Sequence, residues 1–181
     1  MKIEELLDFT LKSGATRAKI IDAEAIPFDR EYRKACEQNR CGNYGTNYMC
    51  PPDIGDIDEL ISKAKGFKNG LVFQLVSQLE DSFDFEGMME GHDKFNALTR
   101  RIFNEAKSLK VSEYLLLGAG KCTICEKCAA LDKEPCRNPD RAYSALECYG
   151  VYVAGMLNKN GMPYNNGEAT VSYAGIVLYN E

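Results

Sequence analysis

Residues 113–139 read EYLLLGAGKCTICEKCAALDKEPCRNP, and the fold turns on this stretch. Glu113–Gly118 is a short apolar run with the length and composition of a buried strand. It empties into Lys121–Pro139, where Cys122, Cys125, Cys128 and Cys136 form a C-x2-C-x2-C-x7-C pattern followed by Arg137 and Pro139. Thiols at successive intervals of three let one loop wrap a compact inorganic body and reach three of its corners, with a fourth ligand from further along. The bacterial ferredoxin loop, C-x2-C-x2-C-x3-C-P, works in this way around an iron–sulfur cubane; here the last gap is longer and Arg-Asn precedes the proline. Zinc sites more often use two separated C-x2-C knuckles. The spacing therefore points to a [4Fe-4S] cluster before zinc, held at the rim of a sheet by a strand anchored in the core.

A second cysteine group lies upstream. Residues 40–52 read RCGNYGTNYMCPP with Cys36 just before them, giving C-x4-C-x8-C-P-P. Gly42 and Gly45 permit positive φ and a close backbone approach, and Pro51 and Pro52 prevent a continuing helix or central strand. The eighth thiol is Cys148. The simplest partition is Cys122, Cys125, Cys128 and Cys136 for one site, and Cys36, Cys41, Cys50 and Cys148 for the other. In two-cluster ferredoxins the last cysteine of a run ligates the other cluster, so Cys136 and Cys148 are interchangeable on spacing alone.

Taken together, C-x4-CGNYG-x3-MCPP, the C-x2-C-x2-C run, CRNP and ECYGVYV resemble the predicted metal-binding protein family called domain of unknown function 2284. The resemblance runs from about Gly14 to the last strand. It implies metal binding, expected to be iron–sulfur, in a prokaryotic and largely anaerobic setting, and it brings no established reaction or substrate.

With 181 residues, one domain over 1–181 with cysteine-rich metal-binding segments at 36–50 and 122–148 is the expectation. Hydrophobic residues make up 45% and charged residues 27%, an ordinary globular balance. A net charge of −5 without a basic block argues against a nucleic-acid partner. Nothing approaches the ~18 apolar residues of a membrane span, and the first ten residues interleave acids with Leu and Ile, unlike a signal peptide. A cytosolic setting follows, in which clustered cysteines point to metal or redox work before disulfides.

Apolar spacing predicts helices over 3–13, 56–65 and 92–110, and helix from about 29 to Cys36 before irregular loop. Strands are expected over 18–25, 70–76, 113–118 and 170–179. Residues 140–149 read as helix carrying Cys148 back to the site, and 151–158 as a helix or a strand and turn. Residues 80–91, EDSFDFEGMMEG, read as an acidic loop whose Phe and Met side chains fold back on the core, with a docking surface or lid as the alternative. The single histidine, His92, falls at a helix start in a polar surface role. The fold class is an α/β (α+β) sandwich, a mixed sheet with flanking helices, for which a ferredoxin-like βαββαβ order is one specific version.

Arg40, Lys121, Lys127 and Arg137 adjoin or flank the cysteines, either tuning a cluster's potential and receiving an acidic partner or simply solvated. Tyr44 and Tyr48 either shield a site from water or pack. No G-x-S-x-G elbow is present, GAGKC lacks the rest of a phosphate loop, and a lone histidine leaves Cys–His or Ser–His–Asp catalysis without an evident base. No catalytic residue is assigned, and whether the chain is an enzyme stays open. The reading is an iron–sulfur protein with one or two [4Fe-4S] clusters passing electrons to a redox partner protein. Its rivals are a structural zinc-binding interaction module and an iron–sulfur reductase or redox-activating enzyme.

Overall fold

The structure, a computed structural model of the chain, describes residues 2–111 and 113–181. The longest pairing joins β2 (Asn69–Gln78) and β5 (Thr170–Tyr179), antiparallel along all of both strands with Val72 opposite Ile176. β1 (Arg17–Asp22) pairs antiparallel with the outer side of β2. β3 (Tyr114–Gly118) pairs antiparallel with β5, and a two-residue β4 (Ser144–Ala145) runs parallel to β3. The sheet order is β1-β2-β5-β3-β4.

Both faces are covered, because successive residues of β2 and β5 point to opposite sides of the sheet. Leu71, Phe73, Val177 and Tyr179 meet α1 (Lys2–Lys12) and α4 (Phe85–Ser108) through Ile3, Leu6, Phe95, Leu98 and Ile102. On the other face Val72, Ala174, Ile176 and Leu178 pack on α3 (Ile57–Lys65) and α5 (Val153–Lys159) through Leu60, Ala64, Met156 and Leu157. The short α2 (Glu31–Glu37) carries Cys36. The mixed sheet with flanking helices is thus the architecture present; its chain order, β-α-α-β-α-β-β-α-β after α1, is not βαββαβ. None of the described helices is long and apolar enough to cross a membrane.

Three expected elements differ. α4 begins at Phe85, seven residues before His92, so much of the acidic stretch is helix. Gly87 and Gly91 look like breakers, yet they answer to clearance. A Cβ on Gly87 would collide with the carboxylate of the capping Asp84, and one on Gly91 would lie 2.9 Å from Ser77 Oγ. Asp84 caps the helix by accepting from Gly87 N at 2.8 Å. Phe83, Phe85 and Met89 do not fold back; all are exposed. Residues 140–149 are not helical either. Tyr143 enters one core while Ala145 and Leu146 enter the other, with a period suited to β4, before a 3-10 turn over Leu146–Tyr149. β1 stops at Asp22, whose side chain accepts from Glu24 N and opens a 3-10 turn.

Gly175 sits opposite Phe73 in the β2–β5 register. A Cβ there would lie 2.9 Å from Phe73 Cε2 and 3.0 Å from the Leu117 carbonyl oxygen of β3, so the missing side chain is space the phenylalanine ring occupies. Gly175→Ala should destabilise the protein by about 1–3 kcal/mol through overpacking. Urea unfolding checks this, and an unchanged midpoint would contradict the packing argument.

Candidate metal centres

β3 and β4 end side by side, and both lead into irregular chain on that rim of the sheet. From α2 the chain runs without regular structure to α3, a length that needs something to organise it. Gly42 and Gly45 take φ of +75° and +70°, turning the chain back on itself. Tyr44 N donates to Asn39 Oδ1 and Gly45 N to the Pro51 carbonyl at 2.8 Å, closing the loop.

The eight cysteines are all free thiols, and they gather as two sets. Cys36, Cys41, Cys50 and Cys148 line one pocket of about 280 Å³, together with Arg40, Tyr44 and Lys121. Cys122, Cys125, Cys128 and Cys136 line another of about 20 Å³, with Tyr48 and Arg137. Cys136 thus lies with its own loop and Cys148 with the upstream segment, which spacing alone left open.

The two pockets stand back to back. Residues 43–51 form a partition, with Asn43, Tyr44, Cys50 and Pro51 facing one pocket and Asn47, Tyr48 and Met49 the other. Lys121 and Cys122 likewise face different pockets from adjacent positions. Three hydrogen bonds tie the partition to the downstream loop: buried Asn47 Nδ2 donates to Cys122 O at 3.3 Å, Tyr48 OH to Glu134 O at 2.7 Å, and Ser144 Oγ to Met49 O at 2.8 Å.

In the first set, the Cys36 and Cys50 thiols hydrogen-bond to the Cys148 sulfur, holding Cys148 far below an ordinary thiol, at about 3, against the opposing effect of burial. Those hydrogen bonds, and then burial, push Cys36 and Cys50 upward. Thiolate is the form that ligates metal, and Cys148 is the one of the three that this arrangement favours in that form. Beneath them Arg33, only 5% exposed, donates to Cys148 O at 3.3 Å and to Gly55 O at 2.8 Å, bringing a buried cation to the Cys148 backbone. Glu147 lines the same pocket, and burial raises its carboxyl pKa.

In the second set, burial raises Cys122, partly offset by the N–H groups of Ile124 and Tyr143 directed at its sulfur. Asn138 Nδ2 donates to Cys125 Sγ at 3.2 Å. A donor chain anchors this loop to α4: Arg100 to Thr123 Oγ1, Thr123 and Tyr143 hydroxyls to each other, Tyr143 to Asn96, and Asn96 to His92 Nδ1. His92 is therefore not at a helix start or in a surface role. It is half-buried, its Nε2 at 3.2 Å from Ala119 O.

Of the flanking cations, Arg40 and Lys121 line the first pocket and Arg137 the second. Lys127 pairs with Asp132 at 2.5 Å on the surface. Arg33, Asn47, Asn138 and Ser144 escape sequence reading, because each acts across the fold without a local motif. CRNP offered Asn138 a place beside the fourth cysteine but no sign of its target.

The donor set suits a thiolate-bound metal group. Among the described residues no group of three or more His, Cys, Asp or Glu side chains is arranged to close on a single ion. The first pocket, at about 280 Å³, is far larger than the ~10–15 Å³ that admits one water, so a polyatomic group fits there. The second, at about 20 Å³, has room for little more than one small species.

An α/β protein with two four-thiol pockets at one sheet rim is the class these features define. The chain belongs to the family described as predicted metal-binding protein, domain of unknown function 2284, whose model matches residues 19–179. No curated protein matches it, and no solved structure does.

Asn47→Ala leaves Met49 N and Cys122 O without their partner and should cost about 1–3 kcal/mol, whereas Tyr48→Phe, losing an exposed bond, should cost about 0.5–1 kcal/mol. An unchanged midpoint for Asn47→Ala in chemical denaturation would contradict the partition's role in joining the two segments.

Proposed function

We propose that this is an iron–sulfur protein that passes single electrons to a partner protein. The observation that carries the reading is the gathering of eight free thiols into two adjoining sets of four, with no other ligand type needed. Cys36, Cys41, Cys50 and Cys148 would hold one [4Fe-4S] cluster, and Cys122, Cys125, Cys128 and Cys136 a second, for which their loop must open beyond its void of about 20 Å³. Bound there, such clusters supply reversible one-electron chemistry at potentials tuned by charge, hydrogen bonds to sulfur and burial.

The chain's own groups would perform that tuning. Arg33 and Lys121 place positive charge near the first set, which favours the more reduced state of an anionic centre. The Asn138 amide, already directed at Cys125 Sγ, would do the same for the second by donating to a ligating sulfur. The partition of residues 43–51 would keep the two centres a short distance apart and exclude water between them. Arg40 and Lys121, at the first pocket, suit an acidic patch on the redox partner.

A second reading has a specific observation behind it. The void at the Cys122 set is nearer the size of a single ion than of a cluster, so a structural zinc there, drawing in thiols not yet set to close on one ion, would stand beside one cluster at the Cys36 set.

Anaerobic purification followed by iron, zinc and acid-labile sulfide analysis tests both. Two clusters give iron and sulfide near eight per chain. One cluster with zinc gives about four of each and one zinc. Zinc without sulfide would sink the electron-transfer reading. Cys125→Ser should remove the metal of the second set and spare the first, with Cys50→Ser doing the reverse, and the affected set should lose stability because metal binding and folding are coupled. Full metal content in both variants would overturn the ligand assignment.

A further inference from the structure

The turn from β2 into α4 carries the two most exposed large apolar side chains among the described residues, Phe83 at 92% and Phe85 at 71%, with Met89 at 48%. Phe85 and Met89 are four apart in α4 and share one helix face. The exposure is built in. Phe83 N donates to Asp81 Oδ1 at 2.7 Å, Phe85 N to Phe83 O at 2.8 Å and Glu80 N to Asp84 Oδ2 at 3.0 Å, so the turn closes on itself with both rings outside it. The Tyr173 hydroxyl donates to Met88 O at 2.6 Å and pins the first turn of α4 to β5. Aromatic and methionine side chains held in water on a fixed backbone are the residue types that anchor protein interfaces.

The charge around these side chains is one-sided. Residues 80–94 hold six acids, Glu80, Asp81, Asp84, Glu86, Glu90 and Asp93, against one base, Lys94. That stretch alone carries a net −5, the value for the whole chain, so the remainder is balanced. Among the described residues, no ion pair includes Glu80, Asp81, Glu86, Glu90 or Asp93. Glu80, Glu86 and Glu90 also line a groove of about 410 Å³ between α4 and the end of β2, with Lys94 its single base. A groove of this kind suits a lysine or arginine head, whose aliphatic stem can lie on a neighbouring ring. The same acids repel an anionic membrane, and two copies set patch to patch would bring like charges together.

We propose that this face docks a partner protein through a basic surface segment with an apolar centre. The partner's apolar side chains rest on Phe83, Phe85 and Met89, and its lysine or arginine enters the groove among Glu80, Glu86 and Glu90. β2 and β3 both run antiparallel to β5 and so end at one rim, which puts this partner at the end of the sheet where the thiol sets gather. Docking requires neither set to hold a cluster, so the two readings stand or fall separately.

The probe is a labelled amphipathic helical peptide with leucine on one face and lysine on the other, beside a counterpart with glutamate in place of lysine. Fluorescence anisotropy with the full chain, purified anaerobically, reads the binding. The lysine peptide should bind at least about tenfold more tightly than the glutamate peptide, and added salt should weaken it. Phe83→Ser with Phe85→Ser leaves the charge as it is and should cost at least about tenfold in affinity at an unchanged unfolding midpoint. Glu86→Gln with Glu90→Gln should weaken binding and its salt dependence together, with Asp84 left in place because it caps α4. No saturable binding of the lysine peptide, equal binding of the glutamate peptide, or affinity unaltered by the two phenylalanine changes would each overturn the proposal. Sedimentation showing a dimer that the phenylalanine changes dissociate would assign the face to a second copy instead and overturn it as well. Peptide binding in a chain that proves to carry zinc alone would leave this surface standing while the electron-transfer reading falls.

Discussion

The pairing of β2 with β5 is the constraint on which the other elements depend. Its ten-residue register puts Leu71 and Phe73 with Val177 on one face, and Val72 with Ile176 on the other. Each face is then apolar enough to hold its own helix layer, and a shift of one residue would send every one of these side chains to the wrong core. Gly175 completes the arrangement by leaving room for the Phe73 ring under β3. With β5 fixed, β3 can add to its free side, and β4 to β3. The rim where β3 and β4 end is where both cysteine segments converge.

That rim holds two irregular segments with little apolar content to stabilise them. What the structure supplies instead is mutual hydrogen bonding: Asn47 to Cys122 O, Ser144 to Met49 O, Tyr48 to Glu134 O, and the chain from Arg100 through Thr123 to His92. Net contributions of about 1 kcal/mol each are modest against the conformational entropy of two long loops. A metal group held by thiolates would add free energy where the loops have least of their own.

Much of this was legible in the chain itself. The helical spacing of Ile57, Leu60 and Ala64 behind the Asp56 cap, and the β-branched runs of β2 and β5, state local preferences that packing reinforces. The cysteine spacings in 122–136 and 36–50 likewise describe loops that close on themselves, and the structure gathers those thiols in the same two groups; their role as ligands is proposed. Where reading by pattern failed, a residue was serving a distant neighbour. Gly87 and Gly91 mark clearance for Asp84 and Ser77, not a helix break, and Tyr143 and Ala145 alternate because two cores lie on either side of them. Arg33 and Asn138 are ordinary polar residues until the fold sets them against the Cys148 carbonyl and the Cys125 sulfur.

The partition between the two thiol sets has a further physical consequence. Residues 43–51 face one pocket with Cys50 and the other with Asn47 through Met49, and Lys121–Cys122 repeats this on the opposite strand of chain. Two anionic thiolate centres, were both sets to hold metal, would repel each other across so thin a wall, the more so as the wall excludes water. The buried guanidinium of Arg33 lies on the first side only, where the Cys36 and Cys50 thiols favour Cys148 as thiolate. The first set joins buried Cys50 and Cys148 to half-buried Cys36 and exposed Cys41, whereas the four thiols of the second are all half-buried, with Arg137 lining their pocket. The two sets are therefore electrostatically unequal, and if they hold the centres proposed above, those centres would differ in potential.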